Sequence, residues 1–433
     1  MKNLYLTAIS LLLLMVSNTQ AIDYYVSPAG DDSLSGLTLD EAFSSINHAA
    51  GIANPGDIIK VADGSYNEAV SIDRSGTADQ WITFKSINKH GAKVHNNRSN
   101  AFTVRGNYII IDGFELVASA KFGSGIAPMQ GRHHILAINN YGHDCGESGF
   151  GSNDSDYLVV EKNIFARNGW LMPHAGSGIS LYGAFSFDRK PGFHNIIRNN
   201  ICYNNDNGPK TARSDGNGII IDDFHASQPY HDSSITKLNA YNGNQTLVEN
   251  NLCFNNGGAG IQIFKSNSIT VRNNTCYHNN RRNDTRTWRG EISISNASDI
   301  IVANNIAVCN TNMKFAKSRY NTGLLVGQSD GYICRNIIWA KNQTYDIADP
   351  KSNAYAMHDG AKASSLTGNI LGCDPLFVNP SLDPAVADFR LQSASSAINS
   401  GTDTYGAGAL DLDEKNRVNK VIDKGAYESN STP

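Results

Sequence analysis

The stretch HNIIRNNICYNN (residues 194–205) decides the fold, because it recurs as QTLVENNLCFNN (residues 245–256) and as SITVRNNTCYHNN (residues 268–280). Each copy is a short run of aliphatic or β-branched residues, followed by Asn-Asn and then by another Asn four to six residues later. Looser copies of the pattern begin at His133, Asp156, Asp299 and Gly331. One structural unit is therefore used at least seven times.

The spacing of the copies identifies the unit. Neighbouring copies are 23, 37, 51, 23, 31 and 31 residues apart, measured between Asn140, Asn163, Asn200, Asn251, Asn274, Asn305 and Asn336. A step of 23 residues is too short for a propeller blade and suits a leucine-rich repeat or one coil of a parallel β-helix. Ile, Val, Asn and Gly stand where a leucine-rich repeat needs its leucines. The predicted fold class is therefore all-β, a single parallel β-helix.

A second strand precedes each copy and opens with Gly. The strands GIAPMQ, GFGSND, GISLYG, GIIIDD, GIQIFK, EISISN and GLLVGQ begin at Gly125, Gly149, Gly178, Gly218, Gly260, Glu291 and Gly323. Period-two alternation buries the first and third residues after the Gly and exposes the second. Like positions stack about 4.8 Å apart in successive coils, so equivalent side chains form columns.

Two of these columns have a structural interpretation. Cys202, Cys253 and Cys276 share one repeat position, which predicts an internal stack of small apolar side chains, with a disulfide between neighbouring coils as the alternative. The Asn-Asn pairs predict side-chain amides that form a hydrogen-bonded ladder along a turn.

The two ends of the chain differ from the repeats. Residues 1–21 combine a basic start, the apolar run LLLLMV and small residues before Ala21, which predicts a secretory signal peptide and export outside the cell or to the periplasm. We expect a β-helix over residues 22–395, with a capping helix near residues 39–53 after the capping box Thr38-x-x-Glu41. Residues 396–433 are predicted to form a closing segment.

Composition limits the partners. The net charge of −4 does not indicate nucleic acid, and no apolar run is long enough to span a bilayer. We expect a monomer.

Long insertions predict the binding face, because a regular coil does not need them. Four of them flank the same coils: one follows Asp223, and the others precede Gly178, Gly218 and Glu291. Within the columns, the pair Asp222 and Asp223 lies one coil from Lys265, and Asp215 stands at the entry of the Asp pair's strand. The loops at that edge carry Lys210, Arg213, Arg281, Arg282, Arg286 and Arg289. Carboxylates beside a Lys, with Arg side chains in the surrounding loops, predict a site for an acidic sugar.

The mature start, residues 23–68, followed by Asn-rich coils with Gly-opened strands, resembles the right-handed parallel β-helix proteins of the pectate-lyase superfamily, and most of all family 9 polysaccharide lyases. In that family an Asp cluster on one coil binds Ca²⁺, and a Lys on a neighbouring coil is the base in β-elimination. The resemblance implies a secreted lyase for pectate or a related pectic polymer. It implies Ca²⁺ ligands at Asp215, Asp222 and Asp223 and a base at Lys265.

The chain departs from the family pattern at two places. Ile219, Ile220 and Ile221 stand where the family has a further Asp on the strand, and Gln262 stands where the family has its Lys, two residues after the strand Gly. Lys265 lies three residues further along.

The roles follow from general chemistry. Asp oxygens are the hard ligands that Ca²⁺ prefers, and a cation on a uronate carboxylate stabilises the carbanion of β-elimination. Lys265 and Arg289 are the candidate catalytic residues. The candidate substrate-binding residues are Arg213, Arg281, Arg282, Tyr182, His174 and His225.

Four alternatives stay open. Asp222 and Asp223 also suit a solvated turn with Lys265 as a simple ion pair. A glycoside hydrolase would use Asp222 and Asp223 with Asp154 or Asp215, and an inverting pair would lie about 6.5–9.5 Å apart. RGEISISNAS (residues 289–298) weakly resembles the Glu-rich strand of alginate and chondroitin lyases. The last alternative is a non-catalytic surface β-helix.

Overall fold

The computed structural model describes residues 20–208, 215–229, 231, 234, 245–282, 289–309, 321–327, 330–334, 336–339, 355–358, 362–365, 368–417 and 421–429. Most of the predicted signal peptide, Arg213 and the side chain of Arg289 lie outside the described residues.

Short strands and one helix make up this part of the chain. The helix α1 is Ile46–Ile52. The strands are β1 (Asp23–Val26), β2 (Ile58–Val61), β3 (Gly64–Tyr66), β4 (Val70–Ile72), β5 (Ile82–Ser86), β6 (Ala92–Asn96), β7 (Phe102–Val104), β8 (Ile109–Asp112), β9 (Glu115–Ala118), β10 (Ile126–Pro128), β11 (His133–Ile138), β12 (Tyr141–His143), β13 (Phe150–Glu161), β14 (Ile164–Ala166), β15 (Ile179–Ala184), β16 (Phe193–Arg198), β17 (Ile201–Tyr203), β18 (Ile219–Asp222), β19 (Gln245–Glu249), β20 (Leu252–Phe254), β21 (Ile261–Phe264), β22 (Asn267–Arg272), β23 (Thr275–Tyr277), β24 (Arg289–Ser295), β25 (Ser298–Ala303), β26 (Ile306–Val308), β27 (Asn321–Gly327), β28 (Asp330–Cys334), β29 (Ile337–Trp339), β30 (Tyr355–His358), β31 (Lys362–Ser365), β32 (Ile370–Leu371), β33 (Phe377–Asn379) and β34 (Asp388–Leu391).

The strands form three parallel faces around one core, as the repeat predicts. Sheet 1 contains the Gly-opened strands β15, β18, β21, β24 and their neighbours; sheet 2 contains the strands that precede the Asn pairs, such as β16, β19 and β22; sheet 3 contains β14, β17, β20, β23 and their neighbours. The long strand β13 bends from sheet 1 into sheet 2. The fold is therefore a parallel β-helix, and the predicted fold class is confirmed.

The glycines that open the sheet 1 strands are required by close backbone approach. A Cβ atom on Gly178 would lie 2.6 Å from the carbonyl oxygen of Gly218, and one on Gly218 would lie 2.6 Å from that of Gly260. Glu291 occupies the same column, because Ile261 pairs with Ile292 in the next coil.

The two residues of each Asn-Asn pair have different structural roles. The first Asn adopts a positive φ, as at Asn199 (55°) and Asn250 (54°), a region that Asn tolerates better than most residues. The second Asn is buried and joins the ladder: Asn200 Nδ2 donates to Asn251 Oδ1 at 3.0 Å, and the same bond recurs from coil to coil. The ladder runs through Asn140, Asn163, Asn200, Asn251, Asn274, Asn305, Asn336 and Asn369.

A second ladder runs parallel to the first. It joins Asn168, Asn205, Asn256 and Asn279 and ends where Asn279 Nδ2 donates to Glu291 Oε2 at 2.6 Å. The cysteine stack is also present: Cys202, Cys253 and Cys276 pair in register, and each is a buried free thiol. The predicted ladder and stack are confirmed, and these three cysteines form no disulfide.

The capping helix begins later than predicted. Its N-cap is Ser45, whose side chain accepts from the backbone N–H of His48, and the helix buries Ile46, Ala49 and Ala50 against the first strands. The predicted capping box forms a turn instead, in which Glu41 N–H donates to Thr38 Oγ1 at 3.2 Å. Gly36 N–H donates to Glu41 O at 2.8 Å within this turn, and Tyr25 N–H donates to Gly36 O at 2.7 Å, which ties the turn to β1.

The C-terminal segment packs along the side of the coils. The last described strand of the parallel faces, β32, ends at Leu371, and β33 and β34 form an antiparallel pair. Phe377 and Phe389 pack on Phe254 and Tyr277 of sheet 3. The prediction of a closing segment from residue 396 therefore needs correction: the lateral packing begins before that residue and covers sheet 3. Among the described residues, no helix has the length and apolar character of a membrane span.

The first prediction concerns the ladder. Asn251→Ala should lower the free energy of unfolding by on the order of 3 kcal/mol. The substitution removes the Asn251 donor to the buried Ile197 carbonyl and the acceptor of the Asn200 amide, and each lost hydrogen bond costs about 1–3 kcal/mol. The measurement is equilibrium urea unfolding followed by circular dichroism. The matched control is Asn88→Ala, an exposed amide that donates to Asp63, with an expected change within about 0.5 kcal/mol. Equal changes in the two variants would contradict a structural role for the ladder.

Candidate active site

A cavity of about 1310 Å³ lies over sheet 1. Its floor includes Ile220 and Gln262, which are the outward residues of β18 and β21, and Asp222 and Phe264 continue the two strands. The cavity therefore lies on the face that the inserted loops indicated.

Strand register confirms the predicted columns. Asn153, Tyr182, Asp222, Phe264 and Ser295 pair in sequence across sheet 1. The residue after each is a corner with a positive φ, at Asp154 (42°), Gly183 (71°), Asp223 (54°), Lys265 (47°) and Asn296 (52°). Because the chain turns at this corner, Asp222 and Asp223 point to different surroundings.

Asp223 is turned away from the cavity and is fully buried. Its carboxylate accepts hydrogen bonds from Ser227 Oγ at 2.7 Å, from Gln228 N at 2.6 Å and from the His231 ring at 2.8 Å. Burial raises the pKa of Asp223, but these hydrogen bonds outweigh it and hold the pKa below the usual value. The assignment of Asp223 as a groove ligand for metal, or as half of a hydrolytic pair with Asp222, is therefore corrected.

Asp222 and Asp215 face the cavity. Burial, followed by the negative charges of Asp215 and Asp223, raises the pKa of Asp222 to about 8, against the hydrogen bond from Gln228 and the positive charge of Lys265. Gln228 Nε2 donates to Asp222 Oδ1 at 2.9 Å, and Asp215 Oδ2 accepts from Ala175 N at 2.6 Å. The two carboxylates therefore repel each other across one polar pocket.

The predicted three-carboxylate metal site is not formed. Over the described ranges, no group of three or more His, Cys, Asp or Glu side chains is arranged to hold a metal ion. Asp215 and Asp222 remain as two hard oxygen donors whose mutual repulsion a divalent cation would relieve. This donor set fits a cation that takes its other ligands from water and substrate.

The basic residues separate into two groups. Lys265 lies one coil from Asp222, as predicted, in the corner column of Asp223, and it is not among the residues that line the described cavity. Its Nζ stands 5.4 Å from the ring centroid of Phe264, which does line the cavity. Arg281 and Arg282 instead pair with Asp206, at the turn that follows sheet 3; the distance from Arg281 Nη2 to Asp206 Oδ2 is 2.9 Å. They are not among the residues that line the described cavity, so their assignment to substrate binding there is corrected.

The three other candidates have different positions. His174 is exposed and lines the cavity. Tyr182 also lines it, donates its hydroxyl to the carbonyl of Pro229 and stacks on His231 at a centroid distance of 4.4 Å. His225 is exposed outside the described lining, and its backbone N–H donates to the carbonyl of Lys265 at 3.1 Å.

Several cavity residues were missed by sequence reasoning. Glu147 lines the cavity, and burial raises its pKa to about 7; Lys121 and Gln228 also line it. Gln262 could have been found from period-two alternation, which exposes the second residue after the Gly. Gln228 comes from a loop without a repeat, so no periodic signal marked it. Glu291, from the alternative lyase motif, is fully buried inside the coil and does not face the cavity.

Comparisons with known proteins concern the fold. No protein-family profile matches the chain. An uncharacterized protein of Bacillus subtilis, YwoF, is 28% identical over 114 residues, which are 26% of this chain and 20% of that protein.

Three solved structures are similar to most of the chain. An alginate lyase from Paenibacillus sp. FPU-7 has 18% identity and a TM-score of 0.45, over 78% of this chain and 99% of that one. The pectate lyase Pel9A has 17% identity and a TM-score of 0.47, over 95% and 97%. A GH136 lacto-N-biosidase from Eubacterium ramulus has 13% identity and a TM-score of 0.46, over 81% and 68%.

The second prediction concerns Asp222. Its pKa near 8 in the folded state exceeds the value near 4 of an unfolded chain, so its ionisation destabilises the fold progressively from about pH 4 to about pH 8. Asp222→Asn should therefore raise the thermal midpoint relative to wild type at pH 8, and this gain should be much smaller at pH 4. Thermal unfolding in the presence of chelator measures this difference. The exposed control Asp79→Asn should show no such trend, and a pH-independent effect of Asp222→Asn would contradict the assignment.

Proposed function

We propose that the protein is a secreted polysaccharide lyase that cleaves a uronic-acid polymer, pectate or a related pectic polymer, by β-elimination in this cavity. One observation carries the proposal. Asp215 and Asp222 face one cavity from the same coil, and Lys265 on the adjoining coil is close enough for its charge to lower the pKa of Asp222. The resemblance of the sequence to family 9 polysaccharide lyases supports the same function.

β-Elimination on a uronate needs its carboxylate charge neutralised, because the proton leaves from the adjacent carbon and negative charge develops there. Asp215 and Asp222 are the residues that would hold Ca²⁺, which when bound supplies that neutralisation. Without a positive partner, the ionised forms of the cavity acids Asp215, Asp222 and Glu147 would repel an acidic polymer.

The remaining roles belong to the chain itself. Lys265 is the proposed base; a lysine accepts a proton in its neutral form, which a nearby cation and partial desolvation favour. Gln228 orients the Asp222 carboxylate through its hydrogen bond. Tyr182 and Phe264 provide ring surface in the cavity, against which the faces of sugars can stack. The catalytic role of Arg289 stays a prediction.

A glycoside hydrolase is the second candidate, and a specific observation favours it. Asp222 and Glu147 both have raised pKa values, about 8 and about 7, in the cavity that also contains Asp215. A carboxyl group that stays protonated near neutral pH can donate its proton to a glycosidic oxygen, while an ionised carboxylate activates water. This pair would be Asp222 as acid and Asp215 as base.

The third prediction separates the two candidates. Purified protein incubated with pectate, alginate, chondroitin or rhamnogalacturonan should generate an ultraviolet-absorbing unsaturated product on a pectic polymer, and chelator should reduce the rate by at least about tenfold. Absorbance and reducing ends are measured in parallel, with calcium added back as the control. New reducing ends without absorbance would establish hydrolysis. The absence of both signals would rule out catalysis on these polymers.

The fourth prediction concerns the base. Lys265→Ala should lower kcat by about 100-fold or more with unchanged circular dichroism, because general base catalysis contributes about that factor. The matched control is Lys85→Ala, which removes an exposed lysine paired with Asp112 on sheet 2 and should retain wild-type kcat. Near-normal activity in Lys265→Ala would show that another residue is the base.

A further inference from the structure

We infer that His231 is a positioning residue of the cavity: together with Asp154 and Asp223 it clamps the segment after β18, so that Gln228 and Pro229 form the cavity wall. The inference rests on the proposed function in placing the substrate in this cavity.

The imidazole of His231 bridges two buried carboxylates. Its Nδ1 lies 2.7 Å from Asp154 Oδ1 and its Nε2 lies 2.8 Å from Asp223 Oδ2. The His231 side chain is 5% exposed, and both aspartate side chains are fully buried. Asp154 and Asp223 occupy the same corner column two coils apart, so the ring joins non-adjacent coils. Bonds to buried carboxylates are among the stronger hydrogen bonds, and loss of the ring would remove one partner from each of the two buried acids.

Gly183 provides the space for the ring. It lies between Asp154 and Asp223 in the corner column, with a φ of 71°. A Cβ atom there would lie 2.3 Å from Asp154 Oδ1 and 2.7 Å from His231 Cε1. Tyr182, the residue before it, covers the imidazole with its ring, and the two planes differ by 8°. The glycine and the tyrosine thus form a slot that fits an imidazole.

The clamp is linked to the cavity by hydrogen bonds. Asp223 accepts from the backbone N–H groups of Ser227, at 3.0 Å, and Gln228, at 2.6 Å. The side chain of Gln228 then donates to Asp222, and the carbonyl of Pro229 accepts from the Tyr182 hydroxyl. Gln228, Pro229, Tyr182 and Asp222 all line the cavity. Releasing His231 therefore releases one wall of the cavity and the residue that orients Asp222.

The fifth prediction tests this clamp with three variants. His231→Ala should accelerate amide hydrogen exchange in residues 223–229 and raise KM about tenfold, with a smaller fall in kcat, because the wall contributes to polymer binding. Gln228→Ala should raise KM similarly but leave exchange across the segment near wild type. The control His90→Ala removes a half-buried imidazole bonded to the Asn139 carbonyl and should change neither quantity.

The outcomes separate the clamp from the proposed function. Unchanged exchange in His231→Ala would overturn the clamp. Faster exchange with unchanged KM would make the clamp structural and overturn the positioning role. If His231→Ala does not fold, Gln228→Ala decides the positioning role by its KM, and an unchanged KM there would overturn it. If the wild-type protein cleaves no polymer, the proposed function and the positioning role are both wrong. Amide hydrogen exchange in His231→Ala would still show whether the clamp exists.

Discussion

The structure depends on the satisfaction of buried amide groups at the corners of the coil. Where the chain leaves sheet 2, a side-chain amide supplies the hydrogen bonds that strand pairing does not: each ladder asparagine accepts from the coil before it and donates to backbone and to the coil after it, as Asn251 does. An unpaired buried amide would cost about 1–3 kcal/mol at every coil. Because each asparagine needs an asparagine one coil away, the ladder also holds successive coils in register.

Fixed register makes the columns on sheet 1 predictable and gives the cavity its composition. Loops of very different length separate the coils, yet Tyr182, Asp222 and Phe264 remain aligned. Insertions therefore change the walls without moving the floor. Because the corner residue has a positive φ, the side chains of two adjacent residues point in different directions. Asp222 faces the cavity, and Asp223 binds the loop segment that carries Gln228.

The charges of the cavity define its chemical options. Three acids, Glu147, Asp215 and Asp222, line one pocket, and two of them have pKa values raised mainly by burial. Such a pocket can hold a proton for acid catalysis or bind a cation that attracts a uronate. Lysine beside Asp222 favours elimination, and the protonated carboxyl groups favour hydrolysis. The same surroundings therefore explain why both chemistries are consistent with one arrangement of side chains.

The sequence by itself determined the repeat, the fold class, the amide ladder, the cysteine stack and the two neighbouring columns that contain Asp222 and Lys265. These features depend on period and spacing, which are local properties of the chain. Tertiary structure decided which carboxylates meet. Asp223 is adjacent to Asp222 in sequence but pairs with His231, and the arginines after β23 pair with Asp206 away from the cavity. It also brought Glu147 and Gln228 into the cavity. Side-chain direction at a corner and the path of a non-repeating loop depend on contacts between distant coils, which no periodic pattern encodes.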